Sequence, residues 1–336
     1  MGRLQRVMHF RAALVLLLLP FSYTAVAANV RNVEATFVAR LSAIPDNTDR
    51  IRVWVPLPES TGDQTIAGLH IESPYKWTRH SEKEFGNEYL YAEIENPSEG
   101  MKLLELHFQA RRQEVTFRGI RPAAPAQQEL RRHLRDDRLV TSSPRIRRLA
   151  DQVTAGKKGA LAQAKAIYDH VLTTMTYDKA TPGWGNGDSE RACDIRRGNC
   201  TDFHSLFIAM ARAKGIPARF IIGFPMPAGD GQTSGYHCWA EFYVEGTGWI
   251  PVDPSEASKS SDPARREYLF GNLDADRIQF TVGRDLRLTP PTQEPLNYFI
   301  YPHAESNGAS VGRAGISFVF RDLPAGAGGR DAAKGR

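Results

Sequence analysis

Residues 197–254 limit the fold of this chain more than any other stretch. Phe203, Leu206, Phe207, Met210 and Ala213 recur on one face of a helix, and Gly215 and Pro217 end it. Glycine supplies a left-handed stop, and proline cannot continue the turn. The chain then enters Gly235–Val244, a strand by composition. Cys238, Ala240, Phe242 and Val244 alternate there with His237, Trp239, Glu241 and Tyr243. Successive side chains of a strand take opposite faces, so the first set is expected against the core and the second towards a site or solvent. The turn Glu245-Gly246-Thr247-Gly248 leads into a second strand, Trp249–Asp253. A buried helix beside an antiparallel hairpin makes the fold class α+β.

This arrangement carries chemistry. Cys200 precedes the apolar helix directly, so free backbone N–H groups and the positive end of the helix dipole point at its sulfur. That setting lowers a thiol's pKa and enriches the nucleophilic thiolate. The same N–H groups can stabilise an oxyanion formed on attack at a carbonyl. Gly198 is expected to let a substrate approach closely. A lone cysteine is more often a buried structural residue, so the hairpin supplies the discriminating test. With a four-residue loop, Val244 pairs with Trp249 and Asp253 faces away from His237. With a three-residue loop and a bulge glycine, Val244 pairs with Gly248, and Asp253 lies opposite Trp239 and diagonal to His237. Assembling a nucleophile (Cys200), a base (His237) and its orienter (Asp253) therefore requires the shorter loop or an equivalent bulge.

The remainder of the chain frames this segment. Arg3, Arg6 and Arg11, the apolar run Ala12–Pro20 and Ala25-Val26-Ala27 read as a secretory signal peptide over residues 1–27. The apolar run is too short to span a bilayer, and no cysteine near the cleavage site suggests a lipoprotein. Removing those arginines lowers the net charge from +5 to +2, so charge gives no reason to expect a nucleic-acid partner. Val33–Ala39, Arg50–Val55, Tyr89–Ile94 and Leu103–Phe108 read as strands between turn residues, the pattern of a sandwich. His70, His80 and His107 are isolated along this region and read as surface or packed residues. Arg121–Ala126 reads as a linker. Helices are expected over Gln127–Leu139, whose arginines mark a solvated face, and over Pro144–Val153 and Ala160–Thr174. Ala325–Arg336, rich in glycine, alanine and charge, reads as disordered.

Four motifs in combination resemble the transglutaminase-like superfamily, relatives of the papain-like cysteine peptidases. They are Gly198-x-Cys200; Ala213-x-Gly215-Ile216-Pro217-Ala218-Arg219; His237-x-Trp239-x-Glu241; and Gly248-Trp249-x-Pro251-x-Asp253-Pro254. The resemblance covers roughly residues 160–255. It implies a transglutaminase/papain-like core, with the nucleophile at a helix N-terminus and His and Asp on an antiparallel sheet. It places Cys200, His237 and Asp253 in the nucleophile, base and orienter positions. It also implies acyl transfer from an amide or peptide bond through a thioester. The stretch with Trp54-Val55-Pro56-Leu57-Pro58 resembles the β-sandwich that precedes this core in bacterial members. Trp184 is a candidate side-chain oxyanion donor, and Pro182–Gly187 is either a mobile lid or a plain loop. The expected organisation is a signal peptide at 1–27, a β-sandwich at 28–120, and a linker with a charged helix at 121–140. A catalytic domain at 141–303 and a C-terminal strand with a disordered tail at 304–336 complete it.

The sequence supports hydrolysis over cross-linking, because water is the ready acceptor outside the cytoplasm and no feature is dedicated to binding a lysine. The expected partner is a peptide or protein, including cell-wall peptide, met in the periplasm or after secretion. A non-catalytic, exported peptide-binding or accessory module on the same fold is the competing reading. No cofactor or metal is expected. Cys193, Cys200, His204, His237 and Cys238 are zinc-ligand types, but their spacing is not a usual one, and no acidic loop suits calcium. Two arrangements stay open for Cys193 and Cys238. They can form a disulfide that ties the helix entry to the catalytic strand, with Cys238 pointing away from Cys200. Otherwise Cys193 is a loop thiol and Cys238 a small core residue.

Overall fold

A computed structural model of the chain describes residues 29–122 and 124–324. The expected signal peptide and the tail from Ala325 lie outside the described residues. The fold is α+β, with two five-stranded sheets and a four-stranded sheet.

The first five-stranded sheet is ordered Gly231–Thr233, Arg313–Asp322, Val30–Ser42, Met101–Gln113, Gln64–Glu72. The second is ordered Ala309–Ser310, His303–Ser306, Arg50–Pro56, Glu88–Glu95, Thr78–Ser81. Alternation explains both: Val33, Ala35, Phe37, Ala39 and Leu41 are buried on one sheet, and Ile51, Val53 and Val55 on the other. The sandwich therefore draws on both ends of the chain, because Arg313–Asp322 pairs along Val33–Ser42 and His303–Glu305 pairs with Arg52–Trp54. The strands Gln64–Glu72 and Thr78–Ser81 carry no apolar alternation. They are edge strands with mostly exposed side chains, which is why their sequences do not announce them.

The four-stranded sheet runs Gly248–Val252, His237–Val244, Ala218–Pro225, Arg277–Val282, antiparallel throughout. Its core is continuous with that of the sandwich. The Phe37 ring lies 5.8 Å from Phe224 and 5.4 Å from Phe280, and Phe318 stacks on Phe224 at 4.9 Å. Such ring pairs add to the burial of their apolar area. The outer face of the second sheet is covered in turn. Trp54, Tyr89 and Tyr91 pack with Leu286, Leu288 and Phe299.

The helices Pro144–Val153 and Ala160–Thr174 form as their periodicity predicts. The helix expected over 127–139 stops at Arg132. Arg212 takes the Arg135 carbonyl and the Asp137 carboxylate, each at 2.7 Å, and Asp136 accepts from Ser142, so tertiary bonds turn the chain there. No helix among the described residues is long and apolar enough to cross a membrane.

Candidate active site

The helix Cys200–Ala213 is buried on every side from Cys200 to Arg212. Its start is built by side chains next to Cys200. The Asn199 side chain accepts from Thr201 N at 2.9 Å. Asp202 accepts from Asn199 N at 2.9 Å, which completes a reciprocal cap. Asp202 also receives Gly185 N at 2.8 Å and Gly187 N at 3.2 Å. The segment Pro182–Gly187 is thus tied to the helix start, and Arg284 and Asn297 hold the Asn186 carbonyl from the other side. It is an anchored loop rather than a mobile lid. Gly198 has a different purpose from the one expected. A Cβ there would lie 2.2 Å from Asp202 Oδ2, so the missing side chain makes room for the cap and not for a substrate.

The hairpin adopts the shorter loop. Val244 pairs with Gly248 and Ala240 with Val252, which places Asp253 on the His237 side of the sheet. Asp253 then begins the helix Pro254–Ser258 and accepts Glu256 N at 2.9 Å, a second anchor for its carboxylate. The face carrying His237, Trp239, Glu241 and Tyr243 is not open to solvent. Trp239 is fully buried, with the Arg112 and Arg277 guanidinium groups over its ring at 6.0 and 5.5 Å. The sheet is covered on both faces, because Arg112 of the sandwich reaches across it.

The structure brings Cys200, His237 and Asp253 together. His237 Nε2 donates to Asp253 Oδ2 at 2.7 Å, and Cys200 and His237 are close enough for each to shift the other's pKa. Asp253 is fully buried, yet its carboxyl is held well below the usual range. Burial works to raise it and is outweighed by His237, His204 and Arg277. His237 shows the complementary balance. Burial would lower its pKa, but the Asp253 carboxylate and Cys200 push it up from 6.5 to about 9. The neighbouring Cys238 thiol and the His237 ring hold the Cys200 thiol well below its ordinary pKa against its own burial. The arrangement favours a thiolate–imidazolium pair.

Four contributors, one of them a pair of tyrosines, were not legible as such in the sequence. Arg277, 3% exposed, donates to Asp253 Oδ2 at 2.7 Å and is balanced on its far side by Asp274. His204, one helical turn after Cys200, donates from Nδ1 to the Cys200 carbonyl at 2.6 Å, and its Nε2 lies 3.4 Å from Asp253 Oδ1. Its spacing to Cys200 was the available signal. Tyr236 bonds to Asn199 and Thr201, and Tyr298 packs 5.7 Å from its ring while donating to the Gly185 carbonyl. The fourth is Cys238. It does not point away from the nucleophile but towards the start of its helix, where its sulfur lies 3.5 Å from His204 Nδ1 and 3.9 Å from Thr201 Oγ1, because the helix lies on the strand's Cys238–Phe242 face and Phe207 meets Phe242 at 6.0 Å. Cys193, Cys200 and Cys238 are all free and buried, so the Cys193–Cys238 disulfide is not formed. Trp184 is 38% exposed and lies against Lys179.

Residues 147–254 match the family profile of the transglutaminase-like superfamily. The chain carries a transglutaminase-like core. Its family and fold are, in general terms, those of a cysteine-dependent enzyme. An uncharacterised protein of Haemophilus influenzae is 29% identical over 303 residues, which span 76% of this chain and 80% of that protein. A protein-glutamine gamma-glutamyltransferase of Pseudomonas aeruginosa is 30% identical over 126 residues, 34% of this chain and 18% of that protein. The solved structure of a candidate cysteine protease from Cytophaga hutchinsonii has the same fold. Its TM-score is 0.59 at 14% identity, covering 88% of this chain and 98% of that one.

Proposed function

We propose that the transglutaminase-like core is a cysteine-dependent acyl-transfer enzyme acting on amide or peptide bonds, with Cys200, His237 and Asp253 as its catalytic triad. The Cys200 thiolate attacks the acyl carbon, and the oxyanion forms beside the Cys200 N–H at the first helical position. The His237 imidazolium gives its proton to the leaving amine as the carbon–nitrogen bond breaks, leaving a thioester on Cys200. Neutral His237 then takes a proton from water, which attacks the thioester and releases the carboxylic acid and the thiol. Asp253 keeps the imidazole in one tautomer through Nε2, so that Nδ1 serves the sulfur.

The observation carrying this reading is Cys200 at a helix start, electrostatically paired with a His237 that donates to a fully buried Asp253 carboxylate, which Arg277 also holds. Hydrolysis is the default outcome. The likeness to a glutamyltransferase makes glutamine side chains a first donor to try, and the sequence's export signal directs the search to extracytoplasmic peptides and proteins, cell-wall peptide among them. The test is turnover of glutamine, isopeptide and peptidoglycan-derived substrates with and without an added amine. Activity that disappears in Cys200→Ala and His237→Ala, with folding intact, supports the assignment. Full activity in either variant refutes it.

A further inference from the structure

On the outer face of the first sheet, His70 of the edge strand stands directly opposite His107 of the strand Met101–Gln113, and Glu72 stands directly opposite Glu105. The sequence reading treats these histidines as isolated, and an unbroken ladder would indeed keep them apart. From Thr65–Ala67 the register would put His70 and Glu72 on the inner face. One extra residue is inserted between Ala67 and His70, where Gly68 takes φ 62°. A one-residue slip reverses every later side chain of a strand, and glycine accepts the left-handed conformation such a bulge needs.

The polar atoms of this group converge. His107 Nε2 lies 3.5 Å from Glu105 Oε2 and 3.7 Å from Glu72 Oε1, and His70 Nε2 lies 3.9 Å from Glu72 Oε1. Ligand atoms about 2.0–2.1 Å from a tetrahedral zinc ion stand about 3.3 Å apart. The three observed separations are a few tenths of an ångström wider than that edge, and the ligand atoms of Glu72, Glu105 and His107 all lie within 4.8 Å of one another, with His70 beside Glu72 at the rim. Two of the side chains, His107 and Glu105, are also held in place by neighbours. His107 Nδ1 meets Thr36 Oγ1 at 3.1 Å, a bond that orients the ring and directs Nε2 at the carboxylates. His107 Nε2 is shielded from solvent and has no hydrogen-bond partner. Lys102 donates to Glu105 Oε1 at 2.9 Å, which leaves Oε2 turned towards His107.

We propose that Glu72, Glu105 and His107, with His70 as fourth ligand, bind one divalent transition-metal ion such as zinc, which staples the edge strand Gln64–Glu72 to the sheet. Two imidazoles and two carboxylates suit zinc or a neighbouring transition metal, whereas calcium prefers an all-oxygen shell. The metal would secure an edge strand otherwise held on one side only. The site shares no residue with the triad.

Zinc can also bind a thiolate, so the test uses the full chain with Cys200→Ala. Titration with zinc against a chromophoric chelator should show one tight equivalent, and cobalt should give the visible bands of a nitrogen–oxygen site. Adding Glu72→Gln, at a side chain 57% exposed and hence safe for folding, should weaken zinc by at least the roughly tenfold to hundredfold that loss of an outer partner costs. His107→Ala should abolish the tight equivalent. No binding at micromolar free zinc overturns the proposal, as does binding undiminished in both variants.

Discussion

Replacing Asp253 by asparagine separates the charge of the orienting residue from its shape. Asparagine can still accept from His237 Nε2, so the ring orientation survives, but the buried negative charge is gone. That charge is what lifts His237 from 6.5 to about 9 against burial. The rise corresponds to about 3 kcal/mol in favour of imidazolium. Without it, only Cys200 is left to oppose burial, and the ring is expected to be neutral at pH 7. The Cys200 thiol then loses a cationic partner and moves up towards its ordinary value near 8.5. At pH 7 a thiol of that pKa is only about 3% ionised. The assay is the iodoacetamide alkylation rate of Cys200 against pH, read by mass spectrometry of its peptide. In the parent the imidazolium persists to about pH 9 while the thiolate persists well below its ordinary pKa, so the rate should be flat across neutrality and fall only in acid. In Asp253→Asn the midpoint should move to between about 8 and 9, and the rate at pH 7 should fall by roughly 10- to 30-fold. Asp274 remains to pair with Arg277, so the variant should fold. An alkylation midpoint equal to the parent's in a folded Asp253→Asn protein would refute the argument that Asp253 sets the ionisation of the pair.

Gly198→Ala should lower unfolding free energy by about 2–4 kcal/mol, because the new methyl overlaps an Asp202 carboxylate pinned by backbone N–H groups; a urea titration showing a loss under about 0.5 kcal/mol would remove that explanation of the glycine. Cys238→Ala should raise the Cys200 alkylation midpoint while leaving the fold intact, since it removes the neighbouring thiol that holds the Cys200 pKa down; an unmoved midpoint would make Cys238 a packing residue only. With glutamine-containing peptide as donor, ammonia release without added amine should exceed amine incorporation at millimolar amine, and the reverse ratio would make cross-linking the default.

Local chemistry was legible along the chain wherever it depends on neighbours in sequence. The nucleophile's place at a helix start followed from Cys200, the apolar face behind it and Gly215. The hairpin reduced the triad to one question of parity, and the observed pairing of Val244 with Gly248 answers it. The helices Pro144–Val153 and Ala160–Thr174 followed from a 3.6-residue period that burial on one side enforces. The groups that tune the site were decided by tertiary structure. Arg277 enters on a strand that, among the described residues, pairs only with Ala218–Pro225, and Tyr298 arrives from a loop beyond it. Their type and position carry no periodic signal, because what selects them is a charge or a ring across the core. The same reason hid the place of Cys238 beside the start of the Cys200 helix, since strand alternation gives the face of a side chain but not which helix lies on it. It also hid the second cluster. Two histidines and two glutamates on strands distant in sequence face each other only because one inserted residue after Ala67 reverses the parity of an edge strand. Side-chain period is a property of the sequence, whereas register belongs to the assembled sheet.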